Sequence, residues 1–314
     1  MITSLFLIIG LTCSWSCQGG EKIPSEDERE AVMSGTILAE GFELSYSIEG
    51  SGLPCVVINE ALAMKRSLSQ ELRNQFKFVF FDGRHNVPPD LSYDISTLSF
   101  DGMVEDVEHV RKKLGFDKIA VLGHSIWGLV ALEYGRKYPE HTTHIIMNGT
   151  PPGLSGGLDE YMKITGEYFE SQASAERKAA HQENVAARTD KVAAAPAGRG
   201  AIENYIMNSA LYWYDPRYDA SWLFEGVVWN EAVDNQVFMG LMPDYELLRE
   251  EPITTPIFLS LGKFDFAAPA FLWDEYKDKF PNLTVEQFET SGHWAFLEEQ
   301  ELYTGKLVDW IKDH

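Results

Sequence analysis

The sequence predicts an α/β fold: a mostly parallel sheet with helices on both faces and a helical cap inserted into it. Three observations predict it. Short continuous apolar runs alternate with helical stretches between residues 55 and 150, as parallel strands covered on both sides require. The alternation stops over residues 151–250, where the composition becomes helical and then aromatic. It resumes at Pro256 and runs to the end. The expected organisation is a segment 1–17, a polar tether 18–34, a first core part 35–150, a cap 151–250 and a second core part 251–314.

Residues 2–12 (ITSLFLIIGLT) are apolar but too short to span a bilayer comfortably. They suit the core of an export signal. A run of this kind ending at Cys17 and followed by Gln18-Gly19-Gly20 resembles a bacterial lipoprotein signal, with Cys13 the second candidate. That resemblance implies a lipid on the Cys17 thiol. It also implies an exported protein of the cell envelope, anchored at the periplasmic or outer face of a bacterial membrane. An ordinary cleaved signal or an uncleaved anchor are the alternatives. The acidic stretch up to residue 34 reads as a tether.

From Thr36 the chain alternates. Thr36–Leu38 and Leu44–Ile48 read as strands, with Gly50-Ser51-Gly52 as a hairpin turn. Cys55–Ile58 and Phe76–Phe81 are apolar enough to be buried strands. Ser99 caps a helix whose Val104, Val107, Val110 and Leu114 share one face, and Gly115 closes it. Lys118–Leu122 is a strand, a helix follows to about Arg136, and His144–Asn148 is the next strand. Glu160–Asp190 has helical composition, Lys191–Gly200 reads as a flexible joint, and residues 203–250 are rich in Tyr and Trp. Ile257–Leu261 and Leu283–Phe288 are strands, and Leu302–Ile311 is a last helix.

The net charge of −22 disfavours nucleic acid and anionic lipid as partners of the folded body. Three cysteines, two of them near the N-terminus, exclude a disulfide framework and a cysteine-rich zinc site. No His-Glu-x-x-His, Walker or dinucleotide fingerprint occurs, so no metal or nucleotide cofactor is expected.

Chemistry concentrates at three points. Ser125 lies between a strand and a helix, where a sharp turn lifts a hydroxyl above the sheet edge. A serine needs a base, and the base an orienting carboxylate. Asp265 follows the strand Ile257–Leu261, and His293 follows the strand Leu283–Phe288.

With Gly-His-Ser at 123–125, Gly-x-x-Asp-x-x-x-Pro at 262–269 and Gly-His at 292–293, the chain resembles the α/β-hydrolase superfamily from about Thr36 to Ile311. It looks closest to capped esterases and prolyl-iminopeptidase-like enzymes. The resemblance implies Ser125 as nucleophile, His293 as general base and then acid, Asp265 as its orienter, and a cap over the site. Two residues depart from the pattern. Trp127 stands where the elbow's second glycine belongs, with Gly128 one position later. Asn59-Glu60-Ala61 replaces the usual His-Gly after the third strand. The oxyanion donors are then expected to be the backbone N–H groups of Ile126 and of Ala61 or Glu60. The Glu60 carboxylate must point away, be protonated or meet a substrate cation.

Around this set, Trp127, Tyr212, Trp213 and Trp294 are candidate pocket residues, with cap core as the alternative for the Tyr212–Tyr214 aromatics. His124 reads as a packing residue, and His85, where relatives usually carry glycine, as a loop residue or substrate contact. Arg84 reads as a loop anchor. Glu203, Glu225 and Glu231 are either solvated or hold a substrate amine. Three functions follow: an ester hydrolase, an aminopeptidase for small N-terminal residues, or a non-catalytic binder. The expected partner is a small ester or amide.

Overall fold

The computed structural model describes residues 34–58, 60–89, 93–154, 156–250 and 252–314. The expected signal segment with Cys13 and Cys17, the tether up to residue 33, and Asn59 lie outside the described residues.

Eight strands form one sheet in the order β1-β2-β4-β3-β5-β6-β7-β8. They are β1 (Ser34–Ala39), β2 (Phe42–Gly50), β3 (Leu53–Ile58), β4 (Phe76–Phe81), β5 (Ile119–His124), β6 (Thr142–Asn148), β7 (Ile257–Gly262) and β8 (Leu283–Phe288). Only the β1–β2 and β2–β4 pairs are antiparallel; the other five are parallel. Helices α1 (Ala61–Ser67) and α2 (Leu72–Gln75) connect β3 to β4. Helix α3 (Phe100–Lys113) precedes β5, and α4 (Trp127–Lys137) follows it.

The central strands are apolar throughout because both faces are covered. Alternate residues of each strand serve opposite layers. Val56, Val79, Phe81 and Val121 pack with Val104, Val107 and Val110 of α3 and Leu129 of α4. Val57, Phe78, Phe80 and Leu122 pack on the other face with Met64 of α1 and with Tyr303, Leu307 and Trp310.

The Gly50–Gly52 turn corrects the hairpin expectation. β2 and β3 do not pair, because β4 lies between them. The turn carries the chain past the start of β4. A β-carbon on Gly50 would lie 2.4 Å from the Phe76 carbonyl oxygen, and one on Gly52 2.2 Å from that of Gln75. Both glycines have positive φ, at 84° and 108°. They serve a close crossing rather than a strand reversal.

Residues 151–250 interrupt the sheet pattern between β6 and β7. They contain α5 (Leu158–Gln172), α6 (Ala175–Ala193), α7 (Gly200–Met207), α8 (Ser209–Tyr212) and α9 (Glu231–Asn235). Lys191–Gly200, expected as a flexible joint, is the end of α6 and a tight turn whose Gly198 carbonyl accepts from Trp229 N–H at 3.0 Å. Ile202, Trp213 and Phe224 of this insertion belong to the same core layer as Phe80 and Leu122. The chain ends with α10 (Ala295–Glu298) and α11 (Gln300–Asp313).

Candidate active site

The strands β3, β5, β7 and β8 all end at one edge of the sheet, and the candidate residues follow their C-terminal ends. Ser125 comes first after β5 with φ of +57°. Among the described residues only Glu40 and Ser125 adopt positive φ without being glycine. A left-handed serine between a strand and a helix is a strained turn that surrounding structure must hold. Its N–H donates to the Asn148 carbonyl at 2.8 Å, and its own carbonyl accepts from Gly128 N–H at 3.0 Å. Asn148 is itself locked, since its Oδ1 accepts from Ser260 Oγ at 2.7 Å and from the Tyr303 hydroxyl at 2.9 Å. Sequence reading missed Asn148, whose partners lie far along the chain.

Two glycines let strand and helix approach. A β-carbon on Gly123 would lie 2.4 Å from the Trp127 carbonyl oxygen, and one on Gly128 2.0 Å from Thr150 Oγ1. Gly128 thus provides a close approach although the expected glycine position holds Trp127. The indole is turned onto the loop after β4 and stacks on the His85 ring, centroids 3.9 Å apart and planes 13° apart.

The imidazole and carboxylate meet. His293 Nδ1 lies 2.6 Å from Asp265 Oδ2, both residues being buried. The second oxygen, Oδ1, accepts from the N–H groups of Ala267 and Ala268 at 2.9 and 2.7 Å. With both oxygens engaged, the carboxylate is fixed in plane. An Nδ1–H donated to it leaves Nε2 as the acceptor for a hydroxyl proton. The His293 loop is held from two sides. Its N–H donates to the Tyr212 carbonyl at 2.6 Å. Its carbonyl lies 3.2 Å from Nε2 of His124, the residue before Ser125. Burial, and then His293, push the His124 imidazole well below its ordinary pKa, so it stays neutral and donates. The glycines of both motifs are contact glycines: a β-carbon on Gly262 would lie 1.9 Å from the Gly292 carbonyl oxygen, and one on Gly292 2.2 Å from that of Tyr212.

The oxyanion loop corrects one expectation. The Ala61 N–H is not a free donor; it is given to Asp82 Oδ1 at 2.9 Å. Ile126 N–H stands at the start of α4, where helix geometry leaves it without an intrahelical acceptor. Glu60 is buried, and its Oε1 lies 3.5 Å from His85 Nε2. A cavity of about 330 Å³ opens beside Glu60, between Asp82 and Asn86 of the core and Val227 and Val228 of the insertion.

Trp213 and Trp294 are each 1% exposed, with near-parallel rings in the core layer beneath the insertion. This places them in the core rather than on an open pocket wall. Tyr212 remains beside the imidazole, its ring 5.6 Å from that of His293. Burial, with Asp265 adding to it, pushes its phenol up to about 12, so it stays neutral. Arg84 anchors its loop, with Nε and Nη2 on Asp106 at 2.7 and 2.8 Å and Nη1 on Glu40 at 2.9 Å. Glu203 is paired with Arg188 and Arg199, Glu231 accepts from Ala201 N–H, and Glu225 is exposed. Among the described residues no His, Cys, Asp and Glu cluster is arranged to hold a metal ion.

A left-handed serine raised at the C-terminal edge of a parallel sheet, with an imidazole–carboxylate pair after β7 and β8 on the same edge, defines a hydrolase scaffold. The family model described as alpha/beta hydrolase fold matches residues 69–300, and the chain belongs to that family. It is similar to the AB hydrolase superfamily protein YclE of Bacillus subtilis (strain 168), 29% identical over 280 residues, covering 88% of this chain and 98% of that one. It is also similar to the proline iminopeptidase of Clostridium botulinum, 27% identical over 219 residues, covering 66% of this chain and 71% of the relative. Among solved structures, an alpha/beta fold family hydrolase from Bacillus anthracis str. Sterne superposes with a TM-score of 0.63 at 18% identity, covering 89% and 98% of the two chains.

Proposed function

We propose that the protein is a serine hydrolase that cleaves a small carboxylic ester or amide through an acyl-enzyme. The observation that carries this reading is Ser125 at φ +57°, next in the chain to His124, whose ring centroid lies 4.6 Å from that of the Asp265-bonded His293. Ser125 Oγ attacks the carbonyl carbon while His293 Nε2 takes its proton. The tetrahedral oxyanion is held by Ile126 N–H and, with Ala61 N–H committed to Asp82, by Glu60 N–H as the second donor. His293 then protonates the departing alcohol or amine. The same nitrogen activates water for deacylation, and Asp265 keeps the imidazole in the required tautomer. The amide arm draws support from the proline iminopeptidase relative.

A fluorophosphonate probe is expected to label Ser125 in the folded protein. Ser125→Ala and His293→Ala should each lower kcat by roughly 10⁶-fold, measured on p-nitrophenyl esters and on proline-naphthylamide in parallel. A folded wild type that takes no label would instead be a binder. The relative rates on the two substrates assign ester or amide preference.

Export and lipid attachment at Cys17 belong to the same proposal. Mass spectrometry of the mature N-terminus should find a diacylated cysteine; an unmodified chain starting elsewhere would refute that part.

A further inference from the structure

The two departures from the family pattern, Trp127 on the elbow and Glu60 on the loop after β3, lie against one buried side chain. His85 is 1% exposed. Its ring face lies on the Trp127 indole at 3.9 Å. Its edge faces Glu60, with Nε2 at 3.5 Å from Oε1, a polar contact at ion-pair range rather than an aligned hydrogen bond, and neither ring nitrogen has a hydrogen-bond partner elsewhere. The Asp82 carboxyl and that of Asp234 on α9 are near enough to feel the imidazole, which works against the rise that burial gives each of them. Gly83 makes room, since a β-carbon there would come within 3.0 Å of His85 Nδ1 and Cε1. The ring cannot swing away easily. Next to it in the chain, Arg84 is clamped by Asp106, and from the insertion Asn230 N–H donates to the His85 carbonyl at 2.6 Å.

Each departure, left alone, works against turnover. Trp127 follows directly after Ile126, so an indole free to change rotamer disturbs the amide that must meet the oxyanion. An unpartnered Glu60 carboxylate would set a negative charge beside the same developing charge. We propose that His85 is a positioning residue that makes both compatible with catalysis: its face fixes Trp127 and its edge fixes the Glu60 carboxylate. The catalytic part of this inference rests on the serine-hydrolase reading above; the packing part does not.

The test separates the two jobs. His85→Ala removes both and should lower kcat about tenfold or more with KM within about twofold, the size expected for a lost aromatic stack and a stranded buried carboxylate. His85→Phe keeps a flat ring but strands Glu60, and should fall between. Adding Glu60→Gln to His85→Phe removes the stranded charge and should recover most of the loss, a non-additive pair that a merely structural role would not produce. A His85→Ala variant that folds and stays within twofold of wild type overturns the proposal. So does a double variant no faster than His85→Phe, and that comparison stands even where His85→Ala fails to fold. If the wild type takes no fluorophosphonate, the hydrolase reading fails instead. The packing part is then read from the fluorescence Trp127 contributes, obtained by subtracting Trp127→Phe. That emission should shift to the red in His85→Ala, and an unchanged spectrum overturns the packing part as well.

Discussion

At Gly123 and Gly128 the absence of a side chain does different work, and the difference is measurable. The β-carbon of a Gly123→Ala variant would strike backbone: the Trp127 carbonyl at 2.4 Å and Gly128 N at 2.6 Å. Backbone cannot rotate out of the way, so the elbow itself must shift. The expected result is a loss of at least about 1–3 kcal/mol of stability together with loss of fluorophosphonate labelling, read by urea unfolding and by gel. Gly128→Ala instead strikes a side chain, Thr150, at Oγ1 and Cγ2. Adding Thr150→Ala deletes both atoms but leaves the Thr150 β-carbon at 2.9 Å, so it should restore part of the stability that Gly128→Ala removes, and Thr150→Gly more of it. If the pair is as unstable as the single variant, the clash lies elsewhere. Sequence reading at this scale singles out Ser125, Asp265 and His293 because each follows a strand end in a short motif. It did not find Asn148, His85's contacts or the Asp82–Ala61 bond, because these are tertiary meetings with no local spacing to betray them.

Elements were legible where periodicity is strong. Phe76–Phe81 and Leu283–Phe288 match the expected strands residue for residue, since a parallel strand buried on both faces or bounded by turns has little freedom of register. The helix at Phe100–Lys113 begins where Ser99 was expected to cap it, with Ser99 Oγ accepting from Gly102 N–H at 2.9 Å. Ser99→Ala should therefore cost about 1 kcal/mol, visible as a lower urea midpoint with unchanged slope. The Gly50–Gly52 turn was misread because a Gly-rich link between two strands looks the same whether or not a third strand enters between them. Helix α9 carries a pH signature. Burial first, and then the charges of Glu60 and Glu231, raise the Asp234 carboxyl to about 7, against the opposing influence of His85. Its ordinary value is 3.8, so between that pH and about 7 the folded state holds a proton that the unfolded chain has released. Stability associated with this group is thus full below that range and is lost as pH rises through about 7. Relative to Asp234→Asn, the wild type should lose stability over that window, measured as the difference in unfolding free energy at pH 4.5 and 7.5. A difference independent of pH would count against the raised carboxyl.

On the scale of the whole molecule, the change in composition near residue 151 signals the loss of strands between β6 and β7, but not how tightly the intervening helices are fused to the sheet. Tyr212 and Leu211 of α8 accept from His293 N–H and Phe266 N–H at 2.6 and 2.9 Å. The Tyr161 hydroxyl donates to the Ala267 carbonyl at 2.6 Å, beside Asp265. Trp213 and Phe224 share one apolar layer with Trp294 and Phe80. A shared apolar layer and hydrogen bonds to the loops bearing both His293 and Asp265 leave the insertion little room to melt alone, because its loss would expose core surface and release the His293 loop together. The expected outcome is one cooperative transition. In urea, the near-ultraviolet circular dichroism of the aromatic-rich insertion, the far-ultraviolet signal of the whole chain and the loss of Ser125 labelling should share a midpoint. An aromatic transition at clearly lower urea, with labelling lost at that first step, would mean instead that the insertion opens as a separate unit over an intact sheet.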